Sequence, residues 1–459
     1  MTIGLLPLAR ATFDVAFAET RLEAMLARLD ATGRDFVGSR DLLFETAAAR
    51  QALREISAAG ADRILILQVT FTDDLVALEA AACGTPLAVW AIPEPRSGGR
   101  LRLNSLCGLN LASHALGRAG RAMGWMYSAP ECVADHELHR LLDEEPSTPQ
   151  AEPAEPPASS DAGRRLVGAI RGRRIARLGD HPDGFTTCSY SSREVREVTG
   201  VQVDAFPVEN LFDRARSVPA ETLSRLHARA ETELAGLRDV DQLTLERSLR
   251  LKAALDTFVG SGVYDALAIR CWPECFTEYG GAVCGPVSMM GEDGVPCACE
   301  ADVYGALSQM ILQEAAGAPV FLTDLVDVDV DDGTAVLWHC GQAPVSICDP
   351  EVSARATVHS NRRMPLLYEF TLKPGRVTLM RLSQARNETR MVLCSGEMLA
   401  RPAAYSGTSG VMRFDRAAGD VLADLIENGI EHHLAVVYGE HRPLLRQVAG
   451  AMGLSVLDL

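Results

Sequence analysis

Short apolar runs alternate with stretches of helical period through the first third of the chain, and no other feature restricts the fold as much. The apolar run Ile3 to Pro7 is followed by helical stretches from about Ala16 to Thr32 and Ser39 to Ala59. The run Arg63 to Thr70, a helix around Asp74 to Cys83 and the run Pro86 to Ile92 complete the pattern. Strands separated by helices pair in parallel and bury both faces of their sheet. Between Asp143 and Gly163 the sequence DEEPSTPQAEPAEPPASSDAG offers almost nothing to bury, which reads as a linker or a long solvated loop. The alternation then restarts with Arg174 to Leu178, a turn from Gly179 to Gly184, a helix near Ser191 to Thr199 and the strand Gln202 to Phe206. A long polar helical region, Ala220 to Val259, and the run Ala266 to Ile269 follow. Beyond about residue 333 the runs shorten and alternate in the manner of β structure. The expected fold is therefore α/β: two Rossmann-like parallel-sheet domains, 1–145 and 165–333, joined by a linker at 146–164, and then a mostly β C-terminal domain, 334–459.

Composition narrows the partners. The formal net charge of −17 opposes nucleic acid and anionic membranes, which select clustered Lys and Arg. No stretch approaches the roughly 20 apolar residues of a spanning helix. The N-terminus Met1-Thr2-Ile3-Gly4-Leu5-Leu6-Pro7 lacks a basic region and a cleavage site, so the expectation is a cytoplasmic chain. Its 12 cysteines then read as buried apolar groups, ligands or thiols before disulfides.

The chemistry concentrates between Arg270 and Gly341. Val295 to Cys299 reads as a strand, Asp302 to Ala316 as an amphipathic helix, and Val320 to Thr323 as a second strand, with Gly317 and Pro319 ending the helix. A βαβ unit of this kind brings two parallel strands into one sheet. Glu300 and Asp324 then emerge together at its carboxyl edge, where open α/β folds bind ligands. Each taken singly is explained by a helix start or a strand end; as a pair they repel unless a cation or a shared proton lies between them. Histidines number only 10, and His339 and the adjacent His432 and His433 sit in apolar runs. Two carboxylates with two imidazoles form an O/O/N/N shell that suits Mn²⁺, Mg²⁺ or Co²⁺ better than a closed structural zinc site. Because neighbouring strand residues face opposite ways, only one of His432 and His433 is expected to reach such a site. The cysteines from Cys271 to Cys299 lack paired C-x2-C spacing, and Asp327 to Gly333 reads as a hairpin with an Asp-Gly turn rather than a calcium loop. Thr72, Asn104 and Asn110 follow strands of the first domain, at the edge where ligands bind, and are candidates for substrate contacts.

Three segments resemble the L-fucose and L-arabinose isomerases. CEADVYGAL is similar to the segment that begins a helix with a metal-binding glutamate, matching Glu300. FLTD resembles the segment carrying the metal-binding aspartate, matching Asp324, and ENGIEHHLAVVYG resembles the C-terminal segment supplying the metal-binding histidine, with His433 in register. A further histidine at a similar spacing in the L-arabinose isomerases matches His339. The segment Cys271 to Phe276 departs from the substrate-contacting segments of those enzymes, and Trp272 within it is a candidate substrate contact. The resemblance implies an aldose–ketose isomerase that works through a cis-enediol, with Glu300 and Asp324 as catalytic groups. It implies Mn²⁺ as cofactor, with Co²⁺, Mg²⁺ and Zn²⁺ as alternatives, a monosaccharide as partner, and a homohexamer. A metal-dependent sugar aldolase and a non-catalytic sugar sensor use the same parts and remain open at this point.

Overall fold

The computed structural model describes residues 1–144 and 151–459, and three sheets organise them. The first sheet holds five parallel strands in the order Asp35–Gly38, Thr2–Leu8, Arg63–Gln68, Leu87–Ala91, Gly124–Tyr127. Every residue of Arg63–Gln68 and Leu87–Ala91 is buried, as the continuous apolar runs require when helices cover both faces. The second sheet is parallel with four strands, Gln202–Phe206, Arg174–Leu178, Ala266–Ile269 and the short Cys297–Ala298. The third holds nine strands of mixed, mostly antiparallel pairing, built around the hairpins Phe321–Asp329/Thr334–His339 and Gly375–Ser383/Arg390–Met398. Two parallel α/β units and a mostly β C-terminal unit are thus present. Among the described residues no helix is long and apolar enough to cross a membrane.

One expectation is corrected. The helix Val303–Ala316 does not return the chain to the same parallel sheet: Cys297–Ala298 belongs to the four-stranded sheet, whereas Phe321–Asp329 is antiparallel to its neighbours in the nine-stranded one. The reason is local. Phe321–Asp329 folds straight back through a tight turn at Gly333 (φ 64°) onto Thr334–His339, and such a hairpin closes with far less chain than a parallel crossover. The helical region expected over Ala220 to Val259 is two helices, Ala220–Glu233 and Gln242–Val259, separated at Gly236 (φ 73°).

Of the Pro- and Glu-rich segment, residues 145–150 lie outside the described residues. The remainder is laid along the C-terminal unit. The Ala151 amide donates to Asp424 Oδ1 at 2.8 Å, and Ala154 bridges to Val456. The helix Asp161–Ile170, capped by Ser160, packs on Arg442–Met452 so closely that a Cβ at Gly163 would stand 2.1 Å from the Gln447 carbonyl. Backbone cannot yield as a flexible side chain does, so Gly163→Ala is expected to cost about 2 kcal/mol through overpacking. Thermal unfolding should show a lower midpoint for this variant, and an unchanged midpoint would show that the two helices separate freely.

Candidate active site

A cavity lies where the three sheets meet, its wall including Arg10, Trp272, Glu300, Asp324, His339 and His432. The nine-stranded sheet supplies most of the polar floor. Asp324 and His433 are direct partners across an antiparallel pair, so their side chains share one face. His339 ends the adjacent strand Thr334–His339. Glu300 arrives from the second sheet on a turn of unusual shape: it and Ala301 both adopt left-handed backbone, φ 58° and 54°. Two consecutive non-glycine residues in that region carry strain. The turn is held by Ala301 N donating to Ile269 O (2.9 Å) and Asp302 N donating to Cys299 O (3.0 Å). Asp302 then caps the following helix by accepting from Gly305 N at 2.8 Å.

These elements converge on one cluster. Glu300 Oε1 accepts from Trp272 Nε1 at 2.9 Å, and Oε2 lies 3.2 Å from His432 Nε2 and 3.7 Å from His433 Nε2. His433 Nε2 is 3.4 Å from Asp324 Oδ1, while its Nδ1 is 2.9 Å from Asp302 Oδ2. Asp302 is paired in turn with the fully buried Arg381, whose guanidinium also donates to Thr187 O at 3.2 Å. Burial opposes the ionisation of Glu300, but the His432 hydrogen bond, the charges of both imidazoles and the Trp272 donor outweigh it and bring its pKa down to about 2. Burial likewise opposes the Asp302 charge, and Arg381 and His433 hold its carboxyl well below the usual range. Burial lowers the His432 pKa, yet the Glu300 hydrogen bond and the surrounding carboxylates leave it raised.

The donor set fits a divalent ion. Asp324 Oδ1 and His433 Nε2 are buried without a hydrogen-bond partner among the described residues, which is costly unless a cation or a proton takes up their lone pairs. Asp324, His339 and His433 offer ligand atoms all within 4.8 Å of one another, and Glu300 and His433 make a second such group with Cys188. Asp302 gives His433 the outer carboxylate that fixes the ring and leaves Nε2 free to bind.

Of the residues singled out in the sequence, Glu300, Asp324, His339, Trp272 and Asn104 line the cavity, and His433 lies directly behind it. Thr72 and Asn110 do not. Thr72 Oγ1 accepts from Gln68 at 2.9 Å, and Asn110 is buried within the helix Ser105–Arg118. The expectation that His432 and His433 diverge fails, because His432 precedes the strand His433–Tyr438 and escapes its alternation; the two rings lie 4.0 Å apart and both approach Glu300. Asp302 and Arg381 were not legible as functional. Asp302 occupies a helix-cap position, and nothing local marks Arg381 within its strand.

Known proteins match the chain over its whole length. Residues 4–144 match the family described as fucose/sulfoquinovose isomerase, N-terminal domain, and residues 337–459 match the L-fucose isomerase C-terminal domain. The chain is 30% identical to sulfoquinovose isomerase from Priestia megaterium, covering 96% of this chain and 95% of that one. It is 29% identical to the enzymes of the same name from Alkalicoccus urumqiensis (100% and 99% covered) and Clostridium sp. (98% and 98%).

Replacing Asp302 by Asn leaves Arg381 charged and buried without its counter-ion, a change that costs about 3–5 kcal/mol. The depressed Asp302 pKa sets the sign of the pH effect: the unfolded chain binds the extra proton first, so this stabilisation is present above roughly pH 4 and is lost as pH falls. Urea denaturation of metal-free protein should therefore show wild type losing stability on acidification below that pH more steeply than D302N. Parallel profiles would deny Asp302 its role.

Proposed function

We propose that this chain, which belongs to the fucose isomerase-like superfamily and is a sugar aldose–ketose isomerase, acts on sulfoquinovose, a hexose with a sulfonate on C6, through a cis-enediol and with a divalent metal ion. The observation that carries the chemistry is the juxtaposition of Glu300 and Asp324 around the unpartnered His433 Nε2. The relatives' shared name supplies the sugar.

Glu300, Asp324, His433 and His339 are the residues that would hold the ion, Mn²⁺ by the chemistry of this shell. When bound, such an ion polarises the substrate carbonyl and stabilises negative charge on the adjacent oxygens. Isomerisation moves one proton between C1 and C2 and another between O1 and O2. Glu300 and Asp324 are the groups available to carry them. Trp272 and His432 each hold one oxygen of Glu300, which fixes the carboxylate toward the cavity and removes its rotational freedom. Asp302 does the same for His433. Phe71, Phe276 and Trp338 add apolar wall that limits water around an intermediate prone to side reactions.

Aldolase and sensor readings differ in product. Sulfoquinovose incubated with the enzyme and Mn²⁺ in D2O should yield the matching ketose with deuterium at C1 or C2. Fragments of shorter chain would indicate an aldolase, and binding without exchange a sensor. Chelation should stop turnover and added Mn²⁺ restore it. E300Q and D324N should each lose at least about 10³-fold in kcat while melting near the wild-type temperature; either variant retaining activity would remove the carboxylates from the mechanism. Calorimetric titration should show His433→Gln weakening Mn²⁺ binding more than His432→Gln does. Light scattering of the active enzyme should report a homohexamer, and a fully active monomer would exclude that assembly.

A further inference from the structure

Part of the cavity wall is a strap, His359 to Arg362, whose last residue brings a guanidinium that is unpaired among the described residues. The strap is braced from both sides. His359 Nδ1 accepts from the backbone amides of Asn361 (3.2 Å) and Arg362 (3.3 Å), and the His359 ring meets Phe276 edge-on at 5.1 Å. Burial drives the His359 pKa down to about 3, so the ring stays neutral and its Nδ1 remains an acceptor. Asn361 Oδ1 accepts from Arg100 at 2.8 Å, and Arg100 also donates to Thr12 O at 2.7 Å. Arg362, at the tip, lines the cavity, and its guanidinium has no hydrogen bond or ion pair among the described residues. Its strongest charged neighbour is another cation, Arg10.

Arg10 is differently placed. It is half-buried, paired with Asp73 at 3.0 Å, and lies 5.3 Å from the ring centres of both Phe71 and Trp272. Trp272 hydrogen-bonds Glu300, so a single indole lies between that carboxylate and Arg10. In a chain of net charge −17, a half-buried guanidinium facing a second one is unfavourable unless an anion joins them.

We propose that Arg362 is the specificity-determining residue for substrate, binding the oxyanion at the far end of the sugar, with Arg10 as its second cation. This rests on the aldose–ketose reading above and assigns that anion to a sulfonate. Arg362 offers a planar fork of donors suited to two sulfonate oxygens, and Ser360, also on the cavity wall, carries a hydroxyl that can serve the third. A phosphate monoester carries more charge than a sulfonate near neutral pH, and Asp73 already consumes part of the Arg10 charge.

The test compares kcat/KM for sulfoquinovose, for 6-deoxy-D-glucose, which has hydrogen in place of the sulfonate, and for D-glucose 6-phosphate, all with Mn²⁺. Wild type should favour sulfoquinovose over each by at least about 100-fold. In R362Q the preference over 6-deoxy-D-glucose should fall by at least about 30-fold, the scale of losing a desolvated charge-paired contact, and should do so through KM. R362K, which keeps the charge without the fork, should lie between. Ethanesulfonate should inhibit wild type competitively, a reading that needs no variant to fold. An unchanged preference in folded R362Q, with wild type still isomerising sulfoquinovose, would overturn this assignment and leave the proposed function standing. Equal use of the 6-phosphate would overturn the sulfonate. Wild type turning over only the neutral sugar would overturn the substrate reading and this inference together.

Discussion

The buried pair of Asp302 and Arg381 is the interaction on which the site depends. Neither side chain touches solvent to any extent, and they come from different units. Asp302 starts the helix that follows the second parallel sheet, and Arg381 lies in a strand of the nine-stranded sheet. Arg381 also reaches Thr187 O, in the turn that follows Gly184 and the wholly buried Phe185. One ion pair and its side contact thus fasten two connections of the four-stranded sheet to a strand of the nine-stranded one. Such pairs add little net stability against apolar alternatives but are severe to break, so this one acts as a specification of geometry. It determines where the second sheet's last turn meets the C-terminal strands.

What that specification secures is the approach of Glu300 to His433. Glu300 sits two residues before Asp302, on backbone that non-glycine residues avoid. Released from its anchors, the turn would relax to ordinary conformations and swing the carboxylate away. The anchors are the Asp302 contacts on one side and the bond from Ala301 N to Ile269 O on the other. Strain held between fixed points is how an active site keeps a charged group in an unfavourable place. The same aspartate orients His433, so a single residue aligns both halves of the donor set.

Much of this was legible in the sequence. Continuous apolar runs at Arg63 to Gln68 and Leu87 to Ala91 announce strands covered on both faces, and the shift to short alternating runs after residue 333 announces a different sheet. Glu300, Asp324 and His433 stood out because carboxylates and imidazoles in apolar surroundings need a reason. The βαβ reading failed because strand and helix periods were read correctly but pairing was not. Pairing is decided by chain closure, and the hairpin to Thr334–His339 closes first. His432 was set aside by an alternation rule that holds only inside a strand. Asp302, Arg381 and Arg362 leave no local trace, since their meaning lies in a partner 79 residues away or, for Arg362, in having none among the described residues.

The cavity also holds charges of both signs, and charge constrains how a sugar enters. Its lining carries Glu300 and Asp324 and also Arg10 and Arg362. On the proposed reading, a substrate with an anion at one end and hydroxyls at the other has one favourable orientation. A divalent ion held by both carboxylates would cancel their charge, so the preference for one orientation rests on the two guanidiniums. Turned correctly, the anion meets them, and the sugar's C1–C2 end falls to the groups that move protons. A neutral sugar lacks that pull. On that reading the two guanidiniums select the reacting end as well as the substrate.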